Sequence, residues 1–90
     1  VNRTDACAVA RNELKAIANA GYAVASAHID TVSLKQVATE SGSRFEVELS
    51  YLWNDLEHEE ILVICRITSP KDWFRHDEVQ ESITLCSQPA

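Results

Sequence analysis

Phe45-Glu46-Val47-Glu48-Leu49-Ser50-Tyr51 is the stretch that decides the fold. Apolar and polar residues alternate strictly over seven positions, the period of a strand with one face in a core and the other in water. Downstream, Ile61 to Thr68 is apolar and β-branched and reads as a more central strand. Val79, Glu81, Ile83 and Leu85 alternate with polar residues up to Cys86 and give another strand. Upstream, Val32 and Leu34 alternate with Ser33 and Lys35, the two-residue period of a first strand. Ala38-Thr39-Glu40-Ser41-Gly42-Ser43 and Ser69-Pro70-Lys71-Asp72 are turn-like. Four consecutive strands with short links favour an antiparallel meander.

The segment before the strands has a different period. From Asp5 to about Ala27 the chain is rich in alanine, with Leu14, Ile17, Ala18, Gly21 and Ala25 at helical spacing. One long amphipathic helix is expected, with Thr4 or Asp5 as N-cap and Asp5 at the positive end of the dipole. Gly21 weakens such a helix by about 1 kcal/mol relative to alanine, or lets a sheet pack close against it. A meander with one apolar face needs a cover, and this helix is the only candidate. The expected fold is α+β: one long N-terminal helix packed across a four-stranded antiparallel sheet, in a single domain over residues 1–90.

Composition bounds the function. The 90 residues carry fourteen acids and eight scattered bases, a net charge of −6, so a nucleic-acid partner is not expected. The longest apolar run, Ile61-Leu62-Val63-Ile64-Cys65, is too short to cross a bilayer. The opening Val1-Asn2-Arg3-Thr4 is polar and is no leader, as in a chain whose leader has been removed. Asn2-Arg3-Thr4 matches the N-glycosylation sequon at Asn2. With the cysteines, this points to a secreted, extracellular glycoprotein.

Chemistry-bearing residues are sparse. Cys7, Cys65 and Cys86 contain no C-x-x-C pair, so neither a zinc knuckle nor a thiol-redox motif is expected. Cys65 and Cys86 fall on adjacent strands of the expected last hairpin, where a bridge closing a loop of about twenty residues would stabilise the fold by roughly 3 kcal/mol. Cys7 is then a buried small hydrophobe, an interchain bridge, or half of a bridge to a segment elsewhere. Glu57-His58-Glu59-Glu60 and His76-Asp77-Glu78 group histidines with acids, but solvated acidic loops are the better reading. A thiolate at Cys65 is disfavoured by its apolar strand. With no nucleophile elbow, zinc-protease helix or phosphate loop, no enzymatic activity, metal or cofactor is expected. Trp73-Phe74 follows a turn signal and suits a hairpin-tip binding anchor, unless one ring folds back on the sheet edge. Trp53 ends a strand and is expected to pack against the helix end.

The order helix-then-four-strands, with Cys65 and Cys86 near the C-terminus, resembles the cystatin superfamily. Lys35-Gln36-Val37-Ala38-Thr39-Glu40-Ser41-Gly42-Ser43-Arg44-Phe45-Glu46-Val47-Glu48-Leu49 can be laid without gaps on the cystatin segment running from the first hairpin into an aromatic-x-V-E-L strand. Pro70-Lys71-Asp72-Trp73 lies near the cystatin Pro-Trp hairpin. The resemblance implies a protein that occludes the cleft of papain-like cysteine proteases with its hairpin loops. The implied contacts are Gln36, Val37, Ala38, Thr39 and Glu40 in the first hairpin and Pro70, Lys71, Asp72, Trp73 and Phe74 in the second. It also implies the Cys65–Cys86 disulfide.

The chain departs from the inhibitory pattern at the contact loops. In the Q-x-V-x-G hairpin of inhibitory cystatins, Ala38 stands for the central valine and Glu40 for the glycine. A glutamate there adds bulk and a charge to be desolvated where glycine allows close backbone approach. Trp73 is two residues removed from Pro70, the N-terminal segment lacks the glycine, and the earlier disulfide of secreted cystatins is missing. Cys7 and Tyr51-Leu52-Trp53-Asn54-Asp55 are similar to the fetuin, kininogen and histidine-rich glycoprotein branch, where several domains keep the fold without inhibiting. The expectation is weak or lost inhibition. The alternative is an interaction module of a larger or disulfide-linked assembly, joined through Cys7, with no protease target.

Overall fold

In the computed structural model the chain is an α+β unit of two layers, described for residues 3–40, 42, 44–68 and 78–87. Helix α1 (Arg3–Ala20) leads into a short α2 (Tyr22–Ser26), and then come β1 (Val32–Ala38), β2 (Arg44–Trp53), β3 (Glu60–Thr68) and β4 (Glu78–Cys86). The strands form one sheet in the order β1-β2-β3-β4, every neighbouring pair antiparallel.

The alternation in β2 does what its pattern implies. Phe45, Val47, Leu49 and Tyr51 are buried on the inner face, beside Ile61, Val63, Cys65 and Ile67 of β3 and Val79 of β4. Burying each of the larger apolar side chains is worth about 1.5–3 kcal/mol. Helix α1 closes this face with Ala6, Val9, Ala10 and Leu14, lying mainly on β4 and β3. Alanine at two of those contacts lets the helix sit close to the sheet.

The helix differs from expectation in extent, stripe and continuity. It starts at Arg3, so Thr4 and Asp5 lie in its first turn, and Ala18 falls on its exposed side. It also ends at Ala20. Gly21 adopts φ 91° and ψ 177°, a backbone region essentially restricted to glycine. Its N–H still donates to the Ile17 carbonyl at 3.0 Å, and its own carbonyl accepts from the Ala25 N–H at 3.2 Å. Gly21 is thus the joint between two helices. A Cβ there would meet nothing within 4 Å, so close packing on the sheet is not its role.

The inward face of β1 is not the one that Val32 and Leu34 occupy. Val37 lies opposite the buried Phe45, which fixes the parity of the strand. Val37, Lys35 and Ser33 therefore turn inward, and Val32 and Leu34 face solvent at 58% and 63% exposure. A shift of one residue flips every side chain to the other face. Lys35 is tolerated on this face because its side chain stays exposed at the sheet border, where its Nζ pairs with the Glu13 carboxylate of α1.

Candidate functional site

The antiparallel register gathers two chain reversals at one end of the sheet. Gln36 lies opposite Glu46, Glu46 opposite Thr68, and Thr68 opposite Glu78. This single row is the base of both the β1–β2 and the β3–β4 connections. In the first connection Ala38 pairs with Arg44, and the Gly42 N–H donates to the Thr39 carbonyl at 3.0 Å with Gly42 at φ 89°. Gln36, Ala38 and Glu40 are exposed and Thr39 is half-buried. Val37 packs against the core, so it supports the hairpin from beneath. Pro70, Lys71, Asp72, Trp73 and Phe74 lie outside the described residues, as do Asn2 and His76.

The base of this end is charged. Arg66 Nε stands 3.5 Å from a Glu48 carboxylate oxygen and 3.0 Å from one of Glu78 on the outer face. The pairs are solvent-screened and contribute little to stability, about 0–1 kcal/mol each. Their effect is to neutralise acids that would otherwise crowd the base of the second connection.

The opposite end holds a ring cluster around His58, a residue whose sequence neighbours suggest only a solvated acidic loop. Trp53, the last residue of β2, stacks on His58 with centroids 4.5 Å apart and planes 10° from parallel, and Tyr22 of α2 lies at 6.2 Å. The Tyr22 hydroxyl donates to the His58 carbonyl at 2.8 Å. Trp53 therefore packs at the helix end, as expected, but through α2. The intervening loop is fixed by Asp55, whose Oδ1 accepts from the Glu59 and Glu60 N–H groups at 2.9 and 3.0 Å. His58 sits at φ 59°, which turns its ring back onto Trp53. This loop is a built structural turn: Asp55 serves the backbone, Glu60 accepts from the Asn54 side-chain amide at 3.1 Å, and no group of three or more His, Cys, Asp or Glu among the described residues is placed to hold a metal ion.

The expected Cys65–Cys86 disulfide is corrected by the register. Cys65 lies opposite Glu81, and Cys86 lies opposite Glu60, five positions further along β4. Five is odd, so the two side chains also point to opposite faces of the sheet. Bridging needs Cα atoms within about 7 Å and converging Cβ vectors, which this pairing denies. All three thiols are free: Cys65 is buried, Cys86 is exposed, and Cys7 is half-buried against the core. Burial, and then the Glu13 and Glu81 carboxylates, push the Cys65 thiol up to about 11, against a smaller opposing pull from Lys35. Burial and Glu13 raise the Tyr51 phenol as well. The two described histidines lie against rings, His28 on Tyr51 at 5.2 Å and His58 on Trp53.

Among the described residues no helix is long and apolar enough to cross a membrane. Comparison with protein-family models, curated proteins and solved structures found no match to this chain.

Proposed function

We propose that this chain is a secreted, non-enzymatic cystatin-like domain of protease-inhibitor lineage that binds a protein partner through its paired hairpin loops. The observation that carries the reading is the row Gln36–Glu46–Thr68–Glu78, which sets the bases of both loops side by side at one end of the sheet. The helix laid on an antiparallel meander, in this chain order, supports it too. Binding of this kind occludes a cleft by shape and buried side chains and needs no covalent chemistry. Glu40 at the exposed tip opposes deep insertion, because its carboxylate loses water on docking. The expected result is weak inhibition of a papain-like protease, in the micromolar range or weaker. Titration of papain tests this, together with Trp73→Ala. Nanomolar inhibition would overturn the reading of Glu40, and no inhibition at the highest attainable concentration would remove the protease target.

The exposed, unpaired Cys86 favours a second reading, an interaction module within a disulfide-linked extracellular assembly. Electrophoresis with and without reductant separates the two. A single monomer band under both conditions removes the disulfide-linked reading.

A further inference from the structure

Helix α1 lies mainly on β4 and β3, so the inner faces of β1 and β2 are left with an open cleft beside it. The cleft has a volume of about 250 Å³. Leu49 and Tyr51 of β2 form its floor, and Ile17 of α1 and Val24 of α2 line its helical side. Val24 is apolar yet 51% exposed, and it does not belong to the core. Three polar side chains border the same space: Glu13 of α1, Lys35 of β1, and His28 in the turn after α2. An apolar cavity of about 150 Å³ holds benzene, so this space suits one ring with a short polar tail.

Glu13 sets the charge that fits. It is the more sheltered partner of the Lys35 pair, with 20% of its side chain exposed against 47%. Lys35 takes one of its oxygens, and an ionised carboxylate can accept about four hydrogen bonds. The groups at the floor register the same sign. Burial comes first in raising the Tyr51 phenol and the Cys65 thiol, but Glu13 raises both further, by more than Lys35 lowers them. The field inside the cleft is therefore negative, in a chain whose net charge is −6. The Tyr51 ring, with His28 at 5.2 Å, gives a cation an aromatic neighbour as well.

We propose that this cleft binds a small apolar amine, its ring against Leu49, Ile17 and Val24 and its ammonium on the Glu13 carboxylate beside Tyr51. A carboxylate of the same shape would have to displace Glu13 from Lys35 and then face its charge, so the site discriminates against it.

Phenethylamine is the probe and phenylpropionate its anionic counterpart, each titrated into isotope-labelled protein at neutral pH and followed by amide chemical shifts. The amine should give saturable shifts confined to the cleft residues, with a midpoint on the order of 1 mM. Phenylpropionate should bind at least about tenfold more weakly, and Glu13→Gln should weaken the amine by about tenfold. Ala16→Phe, at an exposed α1 position on the cleft, should fill the space and abolish binding, and it serves if Glu13→Gln does not fold. Glu57→Gln removes the same charge from the exposed β2–β3 loop and should leave binding within about twofold. An absence of cleft shifts at about 10 mM amine, phenylpropionate bound as tightly as the amine, binding that survives both cleft variants, or an equal loss in Glu57→Gln would each overturn the proposal. None of these results bears on protease binding through the hairpins.

Discussion

Replacing Gly21 tests whether the helical segment is really two helices. At φ 91° and ψ 177° an L-residue is strained by roughly 1–3 kcal/mol. Nothing lies within 4 Å of the new Cβ, so no packing clash adds to this. Alanine also restricts the unfolded chain, which returns about 0.4–1 kcal/mol. Gly21→Ala should therefore destabilise by about 1–2 kcal/mol net, lowering the melting temperature by roughly 5–15 °C for a chain of this size. A D-alanine at the same position, introduced by chemical synthesis, finds this backbone region favourable. It should stabilise by about 0.4–1 kcal/mol, through the unfolded state alone. Urea titration and thermal melts followed by circular dichroism give both signs. If L-alanine stabilises the fold and D-alanine destabilises it, α1 runs unbroken through position 21 and the joint is refuted.

Other expectations follow from the contacts. Trp53→Ala removes the stack on His58 and the contact with Tyr22, and should cost about 2–3 kcal/mol by urea titration, with Trp53→Phe costing less. Cys65 binds its proton more tightly when folded, so its contribution is complete below pH 9.0 and is lost as the pH rises toward about 11. The urea midpoint should fall across that window, and less steeply in Cys65→Ala, while Tyr51 supplies a further fall of the same sign. In the native protein a disulfide reagent should modify Cys86 at once and Cys65 only on unfolding; equal rates would contradict the burial of Cys65. Lys35→Ala should change stability by less than about 1 kcal/mol, since the lysine side chain is itself 47% exposed and makes a single screened ion pair.

The parts of the fold legible in the sequence are those where burial is one-sided and repeated. Phe45, Val47, Leu49 and Tyr51 supply four successive inward residues, so the face of β2 is unambiguous, and the short links then dictate the meander. The inward face of β1 is not legible in this way, because it is a border strand whose outer residues need not be polar. Val32 and Leu34 are apolar yet exposed, and the inward lysine is legible only with Glu13 of α1 beside it. The disulfide failed for a related reason. Adjacency of two strands is readable, but their offset depends on how the connection is shared between them, and an offset of five residues separates Cys65 from Cys86 in both distance and face. Gly21 reads as a weak point in one helix, but its positive φ belongs to the junction where α2 takes over from α1, which local periodicity does not encode. The His58–Trp53 stack rests on that same kind of turn in a loop whose composition reads only as acidic. The hairpin residues divided cleanly: Val37 belongs to the core, and Gln36, Ala38 and Glu40 to the surface.

The claim on which the proposed binding end depends is the register across the whole sheet. Cross-strand backbone NOEs in the labelled protein measure it directly. The structure predicts one continuous row linking Ser33 to Leu49, Leu49 to Cys65, and Cys65 to Glu81. NOEs connecting Cys65 to Cys86 in place of Glu81 would contradict it, since they would shift β4 by five residues and undo the shared base of the two loops.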